Sequence, residues 1–347
     1  MSASPERKNV ATDLMQDLVR ADFVQVHVAQ TATAILAAGL LQRGLAELAK
    51  PYHLMIGNSG CTPDDSSLVI RVGPIPHVDA DIGVHPAELV QLLHDFDRFD
   101  LTDSPAWIRE TANRVIFERP VSGSDRPVIG IPIEEQTDGV AHSTLIHGPF
   151  SADEDRTASL LEPHESDLTA VRSALTLELL SNSPVTGETA EKIEVFLTST
   201  ETNGPFHTTG GVLDVLTVLS QTAPGVALST ICGWQDIETA TESWRTTAIE
   251  IHDAIRGERR TAGDVTIIDS STPAVASVSA LAATFTETTS VVLADNGGRI
   301  GISGMKADDV AQVDGIEAII QHLPNALTVI GDVSPETIVS IAEVEAP

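Results

Sequence analysis

Phe23-Val-Gln-Val-His-Val28 is followed by Ala29-Gln30, then Thr31-Ala-Thr-Ala34, then the Ala/Leu-rich run Ile35-Leu-Ala-Ala-Gly-Leu-Leu41. The first six residues are dominated by β-branched and aromatic side chains, the signature of a buried strand. The run after Thr33 has the composition of a long helix, extending over Thr33–Lys50 until Pro51 stops it. Two short apolar runs, His53-Leu-Met-Ile56 and Leu68-Val-Ile-Arg-Val72, come next, bounded by Gly, Asn and Pro. Strand–helix–strand spacing of this kind predicts a parallel, doubly wound sheet in an α/β protein.

Working outward, Thr12–Ala21 reads as a short amphipathic helix ahead of the first strand, and Pro86–His94 and Pro105–Ile116 as helices behind it. A Pro/Gly-rich stretch, Pro120–Pro132, closes this N-terminal unit, and we set its boundary at 1–150. Residues 151–203 are helical by pattern (Leu160, Leu161, Leu168, Val171, Leu175, Leu179) and read as a connector. A smaller α/β unit over 204–347 is expected. It has helices at Val212–Thr222 and Ile237–Ile255, an apolar run at Val226–Cys232, and strands at Val265–Ile268, Ser290–Ala294, Ile300–Ile302 and Leu327–Ile330.

The chain has 347 residues, 42% of them hydrophobic, enough for two cored domains. Asp and Glu number 50 against 20 Lys and Arg, a formal charge of −30, and only four bases are lysines (Lys8, Lys50, Lys192, Lys306). Because the acids are spread along the chain, the balance describes the solvent more than the partner. It suits a halophilic interior, where salt screens self-repulsion. No apolar run reaches the ~18 residues of a membrane span, and Met1–Asn9 has no hydrophobic signal region, so a soluble cytoplasmic protein with no membrane partner is expected. Cys61 and Cys232 make neither a disulfide framework nor a zinc set. At 3% aromatic residues the chain lacks the stacking platforms of common single-strand-binding folds.

Common catalytic motifs are missing: there is no P-loop, no G-x-G-x-x-G after a strand, no H-E-x-x-H and no G-x-S-x-G. Gly57-Asn-Ser-Gly-Cys61 reads as an ordinary turn. His77-Val-Asp79-Ala-Asp81-Ile-Gly-Val-His85, with His94, Asp95 and Asp97 behind it, is the densest group of metal-ligand types. Asp79, Asp81 and His85 would suit manganese or magnesium, yet in so acidic a chain a solvated loop is the plainer reading. His142 and His147 flank a strand-like run, Ser143–Ile146, as packing or capping residues. Asn296-Gly297-Gly298-Arg299 is a hairpin turn by its Asn-Gly step. Its second reading is a bare-backbone loop with Arg299 as counter-charge to a phosphate. Arg256, Arg259 and Arg260 form the one tight basic cluster and read as a helix end.

The stretch Phe23–Leu41 resembles the first motif of the RecJ-like DHH phosphoesterases, in which Asp-Ala-Asp-Gly precedes a similar Ala-rich helix and holds manganese. Here those positions are Thr31, Ala32, Thr33 and Ala34. The second motif of the family, a strand ending in Asp-x-Gly, corresponds to Arg71-Val72-Gly73, which keeps the glycine alone. Asp81-Ile-Gly-Val-His85-Pro86 stands as a relic of Asp-His-His. Ala141–Ser151 and Gly204–Leu216 resemble the inter-lobe segments of archaeal members. Asn296–Arg299 resembles the Gly-Gly-Gly-His loop of the DHH-associated C-terminal domain.

The resemblance implies a two-lobed protein: a DHH-like domain, the connector, and a smaller DHH-associated-like domain. It also implies, by position, that Thr31, Thr33 and Arg71 stand where metal ligands would be. A threonine hydroxyl is a weak neutral ligand and a guanidinium repels a cation, so no catalytic residue and no cofactor is expected. Gly297, Gly298 and Arg299 become the substrate-binding candidates. The function implied is a catalytically degenerate nucleic-acid- or protein-binding module of DNA replication or repair. Its expected partners are single-stranded nucleic acid and GINS or another replication protein. The alternative is an active manganese-dependent exonuclease or phosphoesterase with a site rearranged around Asp79, Asp81 and His85. A third reading is an unrelated α/β protein that binds a small anion at the Gly-rich loop.

Overall fold

Strand β1 (Phe23–Val28) is buried from Val24 onward, and alternation is therefore lost, as expected of a strand covered on both faces. It pairs in parallel with β2 (Tyr52–Ile56) on one side and β3 (Ser67–Val72) on the other. β4 (Ile82–Val84) adds to β3, again in parallel, giving the order β2-β1-β3-β4. The computed structural model describes residues 14, 16–57, 67–75, 80–95, 107–109, 111–112, 127–164, 167–286 and 291–345. The chain divides into two compact units, Met1–Pro120 with Pro224–Gln235, and Val121–Ala223 with Asp236–Pro347.

In the first unit, α1 (Ala32–Glu47) crosses from β1 to β2 and buries 12 of its 16 residues. Each fully buried Leu or Ile there contributes about 1.5–3 kcal/mol of transfer free energy. α2 (Pro86–Asp95) packs on α1. The sequence expectations for this sheet are met within a residue or two. The Pro105–Ile116 helix is helical at 107–109 and 111–112, its remainder lying outside the described residues. Lys50 closes the helical stretch at 16–20 by donating Nζ to the carbonyls of Val19 and Ala21, at 2.6 and 2.7 Å.

The second unit opens with α3 (Gln136–Ala141), α4 (Glu154–Leu161), α5 (Leu168–Asn182), α6 (Gly187–Leu197) and α7 (Thr209–Thr222). The apolar run Val226–Cys232 is a helix, α8 (Pro224–Cys232), and it belongs to the first unit, where it packs on α1. The contact is close: a Cβ on Gly39 would sit 2.2 Å from Ile231 Cγ2.

After α9 (Ile237–Arg256) a six-stranded sheet follows, in the order β5-β6-β7-β8-β10-β9. Its strands are β5 (Arg259–Ala262), β6 (Val265–Asp269), β7 (Val291–Asp295), β8 (Arg299–Ser303), β9 (Ile316–Leu323) and β10 (Ala326–Gly331). Only β6 and β7 are parallel, joined by α10 (Val275–Phe285). α11 (Ala307–Val310) and α12 (Pro335–Glu345) complete the unit. Val265, Ile267, Leu293, Ile300, Ile302, Leu327, Val329 and Ile338 form its core. Against β8, α10 approaches so closely that a Cβ on Gly301 would lie 2.0 Å from the Val275 carbonyl oxygen.

Two local expectations are corrected. Ser143–Ile146 is not a strand but a turn, because the Thr144 amide is bonded to a buried carboxylate, Asp214, and not to a ladder. Arg259 and Arg260 do not end a helix; they lie on β5, opposite Ile268 and Ile267.

Candidate functional site

In an open parallel sheet, ligands bind beyond the carboxyl ends of the strands, and Thr31 stands there, three residues after β1. It is the N-cap of α1, extended at φ −134° and ψ 148°, and its Oγ accepts from the Ala34 amide at 3.3 Å. The Thr33 hydroxyl lies 3.4 Å from that of Thr31. Gly73, after β3, has φ +84°, and a Cβ there would meet the Cβ of Ala29 at 2.9 Å. That glycine is required by the close approach of the two loops.

Register places His27, Arg71 and Gly83 opposite one another on β1, β3 and β4, hence on one face of the sheet. The Arg71 guanidinium lies across β4, with Nη2 2.9 Å from where a Gly83 Cβ would be. His27 is buried, its Nδ1 3.2 Å from the Gly57 carbonyl oxygen.

The other metal-ligand candidates are not brought together. Asp81 precedes β4 and accepts from the Val69 amide at 2.9 Å. His85 follows β4, its Nδ1 accepting from Ala87 N at 3.3 Å in the first turn of α2. Three strand residues separate them, so four residue steps and about 13 Å of rise lie between the two. Asp79, His77, Asp97 and residues 58–61 lie outside the described residues, as do the side chains of His94 and Asp95. The donor set described at this sheet end, two hydroxyls beside a guanidinium-bearing face, does not fit a divalent metal pair.

In the second unit, Gly297 and Gly298 are the exposed central pair of the turn between β7 and β8, with Gly297 at φ +73° and Asn296 N bonded to Arg299 O at 3.0 Å. A Cβ at either glycine would meet nothing within 4 Å. Arg299 Nη1 donates to the Gln221 carbonyl at 3.0 Å, placing a cation at the C-terminus of α7, where the helix dipole favours it. Gln221 in turn accepts from the Ala276 and Ser277 amides at 3.2 and 3.3 Å, at the start of α10.

The same unit holds a buried polar network that sequence reasoning missed. Arg245 of α9 grips Asp138 of α3 through Nε (3.0 and 2.8 Å) and Nη2 (2.8 Å). His142 Nδ1 lies 2.7 Å from the same carboxylate. Burial pushes Asp138 upward, but its bonds to His142 and Arg245 outweigh that and hold it below its ordinary value. Burial likewise opposes the charge on His142, and the bond to Asp138 overrides it, raising the imidazole. Asp138, His142 and Glu154 are close enough to share a cation, but Arg245 already occupies the carboxylate.

Deeper in, Asp214 of α7 is fully buried and accepts from Ser143 Oγ at 2.9 Å, from the Thr144 amide at 3.1 Å and from the Thr144 hydroxyl. Burial raises it to about 6, with the bonds from Thr144 and Ser143 pulling the other way.

His252 Nε2 lies 3.1 Å from the Ser143 carbonyl, which can only accept. Burial, then His147 and Arg256, hold His252 well below its ordinary value. A neutral ring donating from Nε2 accepts at Nδ1, so His147 donates its Nδ1–H across the 2.9 Å gap. His147 is itself drawn down to about 3, chiefly by burial. The spacing of His142 and His147 was the one sequence signal for this network. Ser143, between them, is bonded to Asp214 and His252, 71 and 109 residues downstream.

No sequence-family model matches the chain. A protein of uncharacterised function from Haloarcula marismortui is 26% identical over 276 residues, covering 74% of each chain. Among solved structures, the chain is similar to RecJ of Thermus thermophilus in complex with Mn²⁺ at a TM-score of 0.45 and 13% identity, over 99% of this chain. It spans about half of that protein's length, 55%. It is similar to CDC45 of Entamoeba histolytica at 0.44 and 8%, over 96% of this chain and 97% of that one. With a manganese-bound exonuclease RecJ the score is 0.42 at 12% identity, over 100% and 96% of the two chains. Among the described residues no helix is long and apolar enough to cross a membrane.

Proposed function

We propose that this chain is a RecJ-like protein of the DHH superfamily whose N-terminal metal centre has degenerated. It serves as a binding module for single-stranded nucleic acid or a replication protein such as GINS, in DNA replication or repair in a salt-rich cytoplasm. The observation that supports this reading best is the use made of Thr31. At the carboxyl end of β1, where a RecJ-like protein would present its first carboxylate, the side chain caps α1. The capping role needs an oxygen and no charge, so the fold survives the loss of the ligand. Arg71 adds a cation to the same sheet, and the Asp81 carboxylate, ahead of β4, is engaged by the Val69 amide.

The rearranged-enzyme alternative draws less support, since Asp81 and His85 flank β4 at opposite ends. The test is cleavage of labelled single-stranded DNA and RNA with manganese in molar KCl, where screening relieves the acidic self-repulsion. No turnover, with salt-sensitive retention of single strands or co-purification of a replication protein, is the expected result. Manganese-dependent turnover that disappears in an Asp79→Asn/Asp81→Asn variant of unchanged circular dichroism would overturn the proposal.

A further inference from the structure

We propose that Trp234, stacked on Tyr52 and flanked by Arg43, is a platform for a base of single-stranded nucleic acid. The inference rests on the single-strand arm of the function proposed above and assigns it a place in the first unit. Trp107 and Trp244 are buried, whereas Trp234 is 56% exposed. The Tyr52 ring lies 11° from parallel to it with centroids 6.5 Å apart, an offset stack. Tyr52 is fixed through its hydroxyl, which accepts from Gln42 Nε2 of α1 at 2.7 Å. Trp234 is fixed through its amide, which donates to the Ser229 carbonyl of α8 at 2.9 Å after a turn at Gly233, φ +75°. The pair is therefore ordered before a ligand arrives, which lowers the cost of binding. Tyr52 opens the edge strand β2, parallel to β1 and paired with Val24, so it lies at the end of the sheet opposite Thr31.

Charge supplies the second half of the match. Arg43 of α1 has a buried Nε with no hydrogen-bond partner. None of the ion pairs among the described residues uses it, in a chain where acids outnumber bases 50 to 20. Its Nη2 lies 3.7 Å from where a Gly233 Cβ would be, beside the residue that precedes Trp234. An open indole takes the face of a base, and a free guanidinium takes the neighbouring phosphate. A protein contact would also favour Trp and Arg, but at the centre of a packed, desolvated patch. Among the described residues of this unit, Val19 at 37% is the one other exposed large hydrophobic side chain.

High salt makes stacking the useful half. Each phosphate contact to a single strand loses about sixfold in affinity between 0.15 and 2 M salt, and the Debye length falls to about 3 Å at 1 M. Contact between ring faces carries no such penalty, so an acidic chain in a salt-rich interior holds a strand best by its bases.

The full-length protein in 2 M KCl is titrated with a short oligothymidylate and with an abasic strand of the same length, which carries the phosphates without the bases. Binding is followed by tryptophan emission and by the anisotropy of a fluorescein on the strand. Saturable quenching by the oligothymidylate is expected, with affinity about tenfold or more above that of the abasic strand. Trp234→Ala should remove the quenching and weaken the oligothymidylate about tenfold, within the range for one stacked base, while Trp234→Phe keeps most of the affinity. Arg43→Gln should flatten the salt slope between 1 and 3 M KCl by about 0.7, one phosphate contact. Trp234 is exposed, so its variants keep the fold. Oligothymidylate affinity indifferent to Trp234→Ala overturns the platform and leaves the single-strand reading to another surface. No binding of either strand by the folded protein overturns both. A co-purifying protein lost from Trp234→Ala, with strand binding unchanged, assigns the face to a protein contact and likewise overturns the proposal.

Discussion

Replacing Asp214 by Asn tests whether the second unit carries a buried charge at neutral pH. The carboxyl is raised from 3.8 to about 6, a difference of about 3 kcal/mol between its protonated and ionised forms. Because the folded-state value lies above the unfolded one, the group contributes its stability in full below pH 3.8 and loses it as pH rises through about 6. About 1.4 kcal/mol of that falls between pH 5.0 and 7.5. Asparagine is nearly the same shape. Its oxygen can accept from Thr144 and its amide can donate to Ser143 Oγ, so most hydrogen bonds survive while the charge does not. Urea unfolding in 2 M KCl, followed by circular dichroism, is run on both proteins at pH 5.0 and 7.5. The stability of Asp214→Asn relative to the parent should improve by about 1.4 kcal/mol on going to the higher pH. An equal gap at the two pH values would mean that Asp214 ionises in the fold as it does in the open chain, and the argument from burial would fail.

Two further substitutions probe the joints of the same unit. Arg299→Ala removes the cation from the C-terminus of α7 and should cost about 1 kcal/mol in urea unfolding. If nucleic acid binds there, it should also lower the salt slope of binding by about one; unchanged values of both would return the segment to a plain turn. Gly301→Ala sets a methyl 2.0 Å from the Val275 carbonyl oxygen. It should destabilise by at least ~2 kcal/mol, unless α10 can slide away from β8, in which case a normal urea midpoint would expose a looser contact.

The first sheet was legible because its signals are local: six β-branched-rich residues, a turn, an Ala/Leu-rich helix stopped by Pro51. Those same residues placed Thr31 at the carboxyl end of β1. The polar network was not legible, because Asp214 looks like any other acid in an acidic chain until Ser143 and Thr144 close on it from 70 residues away. Val226–Cys232 could be read as strand or helix, since an apolar run of nine residues or fewer carries no decisive period. Burial against Gly39 settles it as α8. β9 went unread as well: its burial pattern is mixed throughout, and an edge strand so exposed has no hydrophobic alternation to display. Arg259 and Arg260 misled for a related reason, their charges sitting on an edge strand, where charge discourages stray pairing.

The loan of α8 has a topological consequence. Pro224–Gln235 leaves the second unit's chain path, completes the first unit and returns, so neither unit is a continuous stretch of polypeptide. No single cut separates them: a chain ending before Pro224 deprives α1 of Ile231, and one beginning after Pro120 carries an apolar helix with nothing to cover it. During synthesis the N-terminal sheet therefore waits for residues more than a hundred positions later before its outer layer is complete. Insertions are tolerated in such an arrangement at loop tips, but exchange of one half for another, the usual commerce between modular proteins, is closed to it.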